Sequence, residues 1–250
     1  MISVKSPREI ELMRQAGKIV GECHDLIRSM IKPGITSQEI NDAVEAHILA
    51  CGATPEFKGY GGFPAATCCS VNDTVVHGFP NNYPLKAGDI ISVDIGARYK
   101  GYVGDSAWTY QVGEVSEDVN NLLEQTQEAL FTGLDQVKAG VHLSDVSHAV
   151  EEVANRYHLG IVRNFAGHGV GSELHEEPEI LNYGPAGKGP ILQAGMTLAI
   201  EPMLNLGTDD VYVCDNGWEV KTNDHKPAAH FEHTILVTED GYEILTKQNQ

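Results

Sequence analysis

The chain has 250 residues and carries 17 Lys and Arg against 35 Asp and Glu, a formal net charge of −18. Its 42% hydrophobic and 21% charged fractions belong to a globular protein and exclude wholesale disorder. A surface this acidic is repelled by phosphate backbones and anionic lipid, which excludes nucleic acid and membranes as partners.

The N-terminal segment mixes Lys, Arg and Glu and has no apolar h-region. Nowhere does an apolar stretch reach the ~20 residues of a membrane helix. The five cysteines, Cys23, Cys51, Cys68, Cys69 and Cys214, are odd in number and lack CxxC spacing, which argues against a disulfide framework and a zinc ribbon. The expectation is a cytoplasmic protein with reduced thiols.

A helix is predicted over residues 6–31. Ser6 is its N-cap, Pro7 suits its first turn and Glu9 completes a capping box. Ile10, Met13, Gly17, Val20 and Ile27, spaced by threes and fours, give it a wide buried face. Lys32-Pro33-Gly34 ends it. A second helix starts at the box Thr36-Ser37-Gln38-Glu39 and stops near Gly52.

The same text recurs 106 residues later, where Lys32, Gly34, Ile35, Glu39, Ile40, Ala43, Val44 and Glu45 become Lys138, Gly140, Val141, Asp145, Val146, Ala149, Val150 and Glu151. Each helix pair leads into a similar strand. Leu85-Lys86-Ala87-Gly88 precedes Ile90–Asp94, and Leu192-Gln193-Ala194-Gly195 precedes Met196–Glu201 at an offset of 107. A solenoid needs at least three repeats, so two copies predict a pseudo-symmetric α+β domain over 1–250. Its half-repeats run over about 6–112 and 117–246, with joined sheets and helices on one face. The tail from Lys247 to Gln250 is expected to be disordered.

Ile91, Val93 and Ile95 alternate with Ser92, Asp94 and Gly96, so Asp94 faces away from the apolar set. A hairpin turn at Lys100-Gly101 would bring Asp105 beside it. Glu201 takes the repeat position of Asp94, and Glu232 lies in a strand placed like that of Asp105. Four carboxylates in apolar strands, with no Lys or Arg in those strands, call for counter-charge, because each loses several kcal/mol of solvation and they repel one another. Two divalent ions supply it. Glycines around His168 let its imidazole approach such an ion; the rival reading of that loop, a phosphate cradle, sits poorly in an acidic setting. One imidazole with four carboxylates suits Mn, Fe(II), Co or Zn. His24, His47, His142, His148, His158 and His225 are read as helix-face or loop residues.

The runs Val93-Asp94-Ile95-Gly96, Gly104-Asp105-Ser106, Gly167-His168-Gly169-Val170-Gly171, His175-Glu176-Glu177-Pro178, Ile200-Glu201-Pro202-Met203 and Glu232-His233-Thr234 closely resemble type I methionine aminopeptidases. The likeness extends from Ser6 to Gly241 and is to the bacterial form, without the zinc-binding extension or long helical insertion of type II members. It implies a pita-bread fold, a curved antiparallel sheet covered by helices. It implies two divalent ions, with Asp94 on one, His168 and Glu201 on the other, and Asp105 and Glu232 bridging both. A bridging hydroxide would attack the scissile carbonyl and Glu201 would handle protons. His175 would stabilise the oxyanion, and His77 would bind the amide nitrogen of the leaving peptide. Tyr60, Phe63, Cys68, Leu174 and Trp218 would line the methionine pocket, with Phe57 nearby. Phe57 stands where the family often has a smaller residue and Leu174 where it often has Phe, which leaves pocket volume open. The implied substrate is the N-terminal methionine of nascent polypeptides with a small second residue, cleaved near the ribosome by a monomer. Two other readings stand beside it. One is a proline-specific pita-bread peptidase, a class that usually carries a large N-terminal domain. The other is a noncatalytic binding relative, a class that has lost ligands, whereas all five are present here.

Overall fold

Residues 2–249 are described by a computed structural model, in which helix α1 spans Pro7–Met30 and begins at the capping box its sequence predicts. The Ser6 N–H donates to Glu9 Oε2 at 2.7 Å and the Glu9 N–H reaches back to Ser6 Oγ. Helix α2, Ser37–Ala50, starts at the reciprocal bonds of Thr36 and Glu39. Met13, Ala16, Val20, Cys23 and Ile27 of α1 are fully buried. Each large aliphatic side chain so buried contributes about 1.5–3 kcal/mol.

Five strands follow in the first half: β1 (Thr54–Pro55), β2 (Thr67–Val71), β3 (Thr74–Val76), β4 (Ile90–Tyr99) and β5 (Tyr102–Gln111). Helices α3 (Glu117–Leu134) and α4 (Leu143–Arg156) then repeat the opening pair. The second half continues with β6 (Gly160–Ile161), β7 (Gly167–Gly169), β8 (Glu176–Ile180), β9 (Thr197–Ile200) and β10 (Met203–Asn205). It ends with β11 (Val211–Val213), β12 (Val220–Thr222), β13 (Ala228–His230), β14 (His233–Val237) and β15 (Tyr242–Ile244).

In the first half β4 is central, pairing with β5 along one edge and with β2 and β1 along the other, all antiparallel. In the second half the order is β15-β14-β9-β7-β8, again antiparallel throughout. Two small three-stranded sheets, β13-β10-β6 and β11-β12-β3, flank them, and the latter joins the halves through β3 and β12.

Ile91, Val93 and Ile95 pack into one core with α1 and α2. Leu198, Ile200 and Ile235 pack into another with α3 and α4. Trp108 leans on both. Because side chains alternate across a strand, residues between these apolar positions face away from the helices. The two large sheets meet where β5 runs beside β14. There Ser106 Oγ donates to the Glu232 carbonyl at 2.6 Å, Thr234 Oγ1 to the Asp105 carbonyl at 2.7 Å, and Thr109 Oγ1 to the His230 carbonyl at 2.8 Å. The Glu232 N–H completes this seam by donating to the Ala107 carbonyl at 2.8 Å.

Three sequence expectations need correction. The tail is not loose: Gln248 is 7% exposed, Arg28 donates to its side chain, and Asn249 binds Asp25. Gly17 and Gly21 of α1 explain this, since a Cβ on either would lie 2.3 Å from the carbonyl oxygen of Leu245 or Lys247. Only a bare backbone lets that segment lie on the helix, and Gln250 falls outside the described residues. His24 is fully buried, bonded to Tyr110 Oη at 2.8 Å and to the Ser106 carbonyl at 3.1 Å, rather than on a helix surface. Strand β4 runs on to Tyr99 and so contains Arg98, but that guanidinium makes a bidentate pair with Glu56. Among the described residues no helix is long and apolar enough to cross a membrane.

Candidate functional site

Asp94 sits mid-strand in β4 and Asp105 in β5, where it faces Gly96. The two aspartates are therefore diagonal neighbours on one sheet face, close enough for the charge of Asp105 to oppose ionisation of Asp94. His168 is the centre of β7, a strand pressed between β8 and β9. A Cβ on Gly167 would meet the Ala199 carbonyl oxygen at 2.4 Å, and one on Gly169 the Glu177 carbonyl oxygen at 2.2 Å. The flanking glycines thus let the backbone close in while His168 keeps its side chain. His168 Nδ1 donates to the Gly169 carbonyl at 2.8 Å, which aims Nε2 at Asp105 Oδ2 and Glu201 Oε1, each 3.5 Å away. Glu201 follows β9 directly and Glu232 precedes β14.

The seam between β5 and β14 brings these groups together. Asp105, His168 and Glu232 offer ligand atoms within 4.8 Å of one another, and so do Glu201, His230 and Glu232. Asp94 belongs to neither compact trio and adjoins the set through Asp105. Asp105 is 4% and Glu232 1% exposed. Burial, then the charges of Asp105 and Glu201, hold the carboxyls of Asp94 and Glu232 well above the usual carboxylate range. Burial also opposes charge on His168, but Asp105 and Glu201 outweigh it and lift its pKa to about 9. The cluster therefore demands positive charge.

Divalent cations fit that demand. Asp94 Oδ1, Asp105 Oδ1, Glu232 Oε1 and His230 Nε2 are buried without a hydrogen-bond partner. Leaving a buried polar atom unpaired costs about 1–3 kcal/mol, more for a charged one, and four such atoms converging on one cavity form a donor set suited to cations. No Lys or Arg lines the cavity.

That cavity, about 230 Å³, is lined by all five predicted ligand residues together with His77, His175, Tyr60, Phe63, Cys68, Leu174, Trp218 and Phe57. Its apolar end is formed by Phe57, Phe63, Cys68 and Leu174, all buried, with the Phe63 ring edge-on to Trp218 at 5.2 Å between centroids. Burial, then the charge of nearby Asp94, pushes the Cys68 thiol far above its usual range, so it packs as a small neutral hydrophobe. His175 lies at the mouth, its ring 4.4 Å from that of His168 and its Nδ1 2.8 Å from the Tyr60 hydroxyl. His77 adopts φ +60°, rare for a residue with a side chain, and stands edge-on to Phe165 and Trp218. Burial lowers the pKa of both His77 and His175, so both rings are neutral near pH 7.

Sequence reasoning passed over His230, Phe165 and Met203, which also line the cavity. His230 Nε2 is 3.2 Å from Glu201 Oε2. One signal was available: two residues before Glu232 in an extended chain, His230 projects to the same face.

A model of metallopeptidase family M24 matches residues 11–239. Methionine aminopeptidase 1 of Bacillus subtilis (strain 168) is 51% identical over 99% of this chain and 100% of its own length. The structure of methionine aminopeptidase from Thermotoga maritima superposes with a TM-score of 0.98 at 47% identity, covering 99% of this chain and 100% of that one. Prolidase from Pyrococcus furiosus shares the fold more distantly, with a TM-score of 0.80 at 25% identity over 99% of this chain and 66% of its own. With these likenesses running its whole length, the chain belongs to metallopeptidase family M24, among the type I methionine aminopeptidases, and has their pita-bread fold.

Proposed function

We propose that the protein removes the N-terminal methionine from nascent polypeptides whose second residue is small, using two divalent ions, in the cytoplasm. One observation carries this reading: buried, partnerless carboxylate oxygens from both halves converge on His168 at the end of an apolar cavity. Both halves supply ligands, which supports treating 1–250 as one catalytic domain. Asp94, Asp105, His168, Glu201 and Glu232 would hold the ions, with His230 beside Glu201. When bound, such ions supply Lewis acidity and lower the pKa of water to near neutrality. Co, Mn, Fe(II) and Zn all suit this oxygen-rich set.

The remaining chemistry falls to the chain. Phe57, Phe63, Cys68, Leu174 and Trp218 receive the methionine side chain, whose sulfur gains about 0.3–1.5 kcal/mol from an aromatic contact. Glu201, 3.5 Å from His168 and 3.2 Å from His230, is placed to take a proton from the attacking water and return it to the departing amine. His175 Nδ1 is hydrogen-bonded to the Tyr60 hydroxyl, which leaves Nε2 free; with the proton on Nε2, His175 would donate it where negative charge develops on the carbonyl oxygen. Neutral His77, fixed by Phe165 and Trp218, binds the amide nitrogen on the departing side.

A metal-reconstituted panel of Met-Ala-Ser, Met-Lys-Ser, Leu-Ala-Ser and Ala-Pro-Ser peptides tests this. The expected result is release of methionine from Met-Ala-Ser, with the other three spared. Preferential cleavage of Ala-Pro-Ser would replace the reading with a proline-specific peptidase, and no cleavage at all with a binding protein.

A further inference from the structure

Away from the catalytic cavity, the last turn of α2 carries His47, and the C-cap residue Cys51 follows four residues on, hence along the same face. Glu22 of α1 meets that face. His47 Nε2 lies 3.1 Å from Glu22 Oε2 and 3.6 Å from Cys51 Sγ, and the three ligand atoms all fall within 4.8 Å of one another. We propose that Glu22, His47 and Cys51 form a second metal site, separate from the catalytic cluster, that takes a divalent cation of the zinc class. Zinc bonds of ~2.0–2.1 Å to nitrogen and oxygen and ~2.3 Å to sulfur give a tetrahedron with edges of roughly 3.3–3.7 Å. The observed separations already approach those edges without an ion. The donors also differ in kind from the catalytic set: a sulfur, an imidazole and one carboxylate select zinc-like cations over Mg²⁺ or Ca²⁺. Three protein ligands leave a fourth position to water.

Access is open, because the side chains of His47 and Glu22 are about a third exposed and Cys51 is partly so. Lys18 Nζ stands 3.8 Å from Glu22 Oε1, but its side chain is 70% exposed and free to swing aside. On binding, the S–H bond breaks, the proton passes to solvent and the sulfur electron pair goes to the ion, while neutral His47 offers the lone pair of Nε2. The backbone is held for this, since the Cys51 N–H donates to the His47 carbonyl at 3.0 Å. Beyond Cys51 the chain runs through β1 to Phe57 and Tyr60, so the ion would clamp the segment that leads into the cavity wall.

Equilibrium dialysis of the full chain against Zn²⁺ tests the site by difference. Wild type should bind one equivalent more than Cys51→Ser or His47→Gln, with peptide hydrolysis unchanged in both variants. Under Co²⁺, wild type should show a near-ultraviolet thiolate-to-cobalt absorption that Cys51→Ser lacks and Cys214→Ser keeps. Equal stoichiometry in wild type and Cys51→Ser, or the same absorption in both, overturns the proposal. Alkylation of wild type gives a reading that needs no variant: Zn²⁺ should slow modification of Cys51 at least tenfold and leave Cys214 unaffected. An unchanged rate at Cys51 overturns the proposal equally.

Discussion

Asp105 and Glu232 are nearly dry, each keeps an oxygen without a partner, and each comes from a different half of the chain. Glu232 belongs to both compact ligand trios and Asp105 links Asp94 to them, so replacing either by Ala is expected to abolish peptide hydrolysis. Full turnover in Asp105→Ala or Glu232→Ala would contradict the two-ion reading. His175 plays a different part: it sits at the mouth, turned by Tyr60 rather than by the carboxylates. His175→Ala should lower kcat by about 10²–10³ with bound metal retained, the usual cost of one oxyanion donor. Loss of metal in that variant, measured by elemental analysis, would make it a ligand instead. Legibility is uneven at this scale. The four proposed carboxylate ligands stood out because carboxylates in apolar strands are out of place, and His168 because of the glycines around it. His230 did not, because a histidine beside Phe231 reads equally well as a core residue.

Among the elements, α1 couples the first half to the seam through His24. Its ring is bonded to Tyr110 and Ser106 in β5, and burial lowers its pKa from 6.5 to about 4. An unfolded chain takes up a proton here as pH falls through 6.5, whereas the folded chain resists until about 4. Stability contributed by neutral His24 is therefore complete above about 6.5 and lost progressively as pH falls toward 4, by up to about 3 kcal/mol. Urea unfolding at pH 7 and pH 4.5 should show wild type losing more stability on acidification than His24→Gln. Parallel losses would remove His24 from the account of acid sensitivity. The helices themselves were readable because capping boxes and three-four spacing act over a few residues. Which face His24 occupied was not, because a lone histidine's partners lie 82 and 86 residues away.

For the molecule as a whole, −18 is a self-repelling charge, and four of its carboxylates are concentrated in one cavity. Cations there should hold the two halves together, as binding to the folded state alone always stabilises it. Chelation is expected to lower the melting temperature, and re-addition of Mn²⁺ or Co²⁺ to restore it. An unchanged melting curve, with metal removal verified by elemental analysis, would show that the cluster tolerates its own repulsion. A fold without this seam would leave the same carboxylates solvated on two separate surfaces, with no need for counter-charge.

By itself the sequence determined the four helices, the caps of the first two, and the doubled order of elements, and it singled out the five residues proposed as metal ligands. All of these rest on short-range spacing, strand alternation or direct internal likeness. The tertiary structure decided the rest. It added His230 beside Glu201, laid the C-terminal segment on Gly17 and Gly21, and placed Glu22 of α1 against His47 of α2 and its C-cap Cys51. Each of these depends on which backbones approach across the fold. At the seam that approach is set by Ser106 and Thr234 hydroxyls donating to carbonyls 126 and 129 residues away. Hydroxyls are common and most bond locally or to water, so nothing in the linear text marks these as the ones that join two halves.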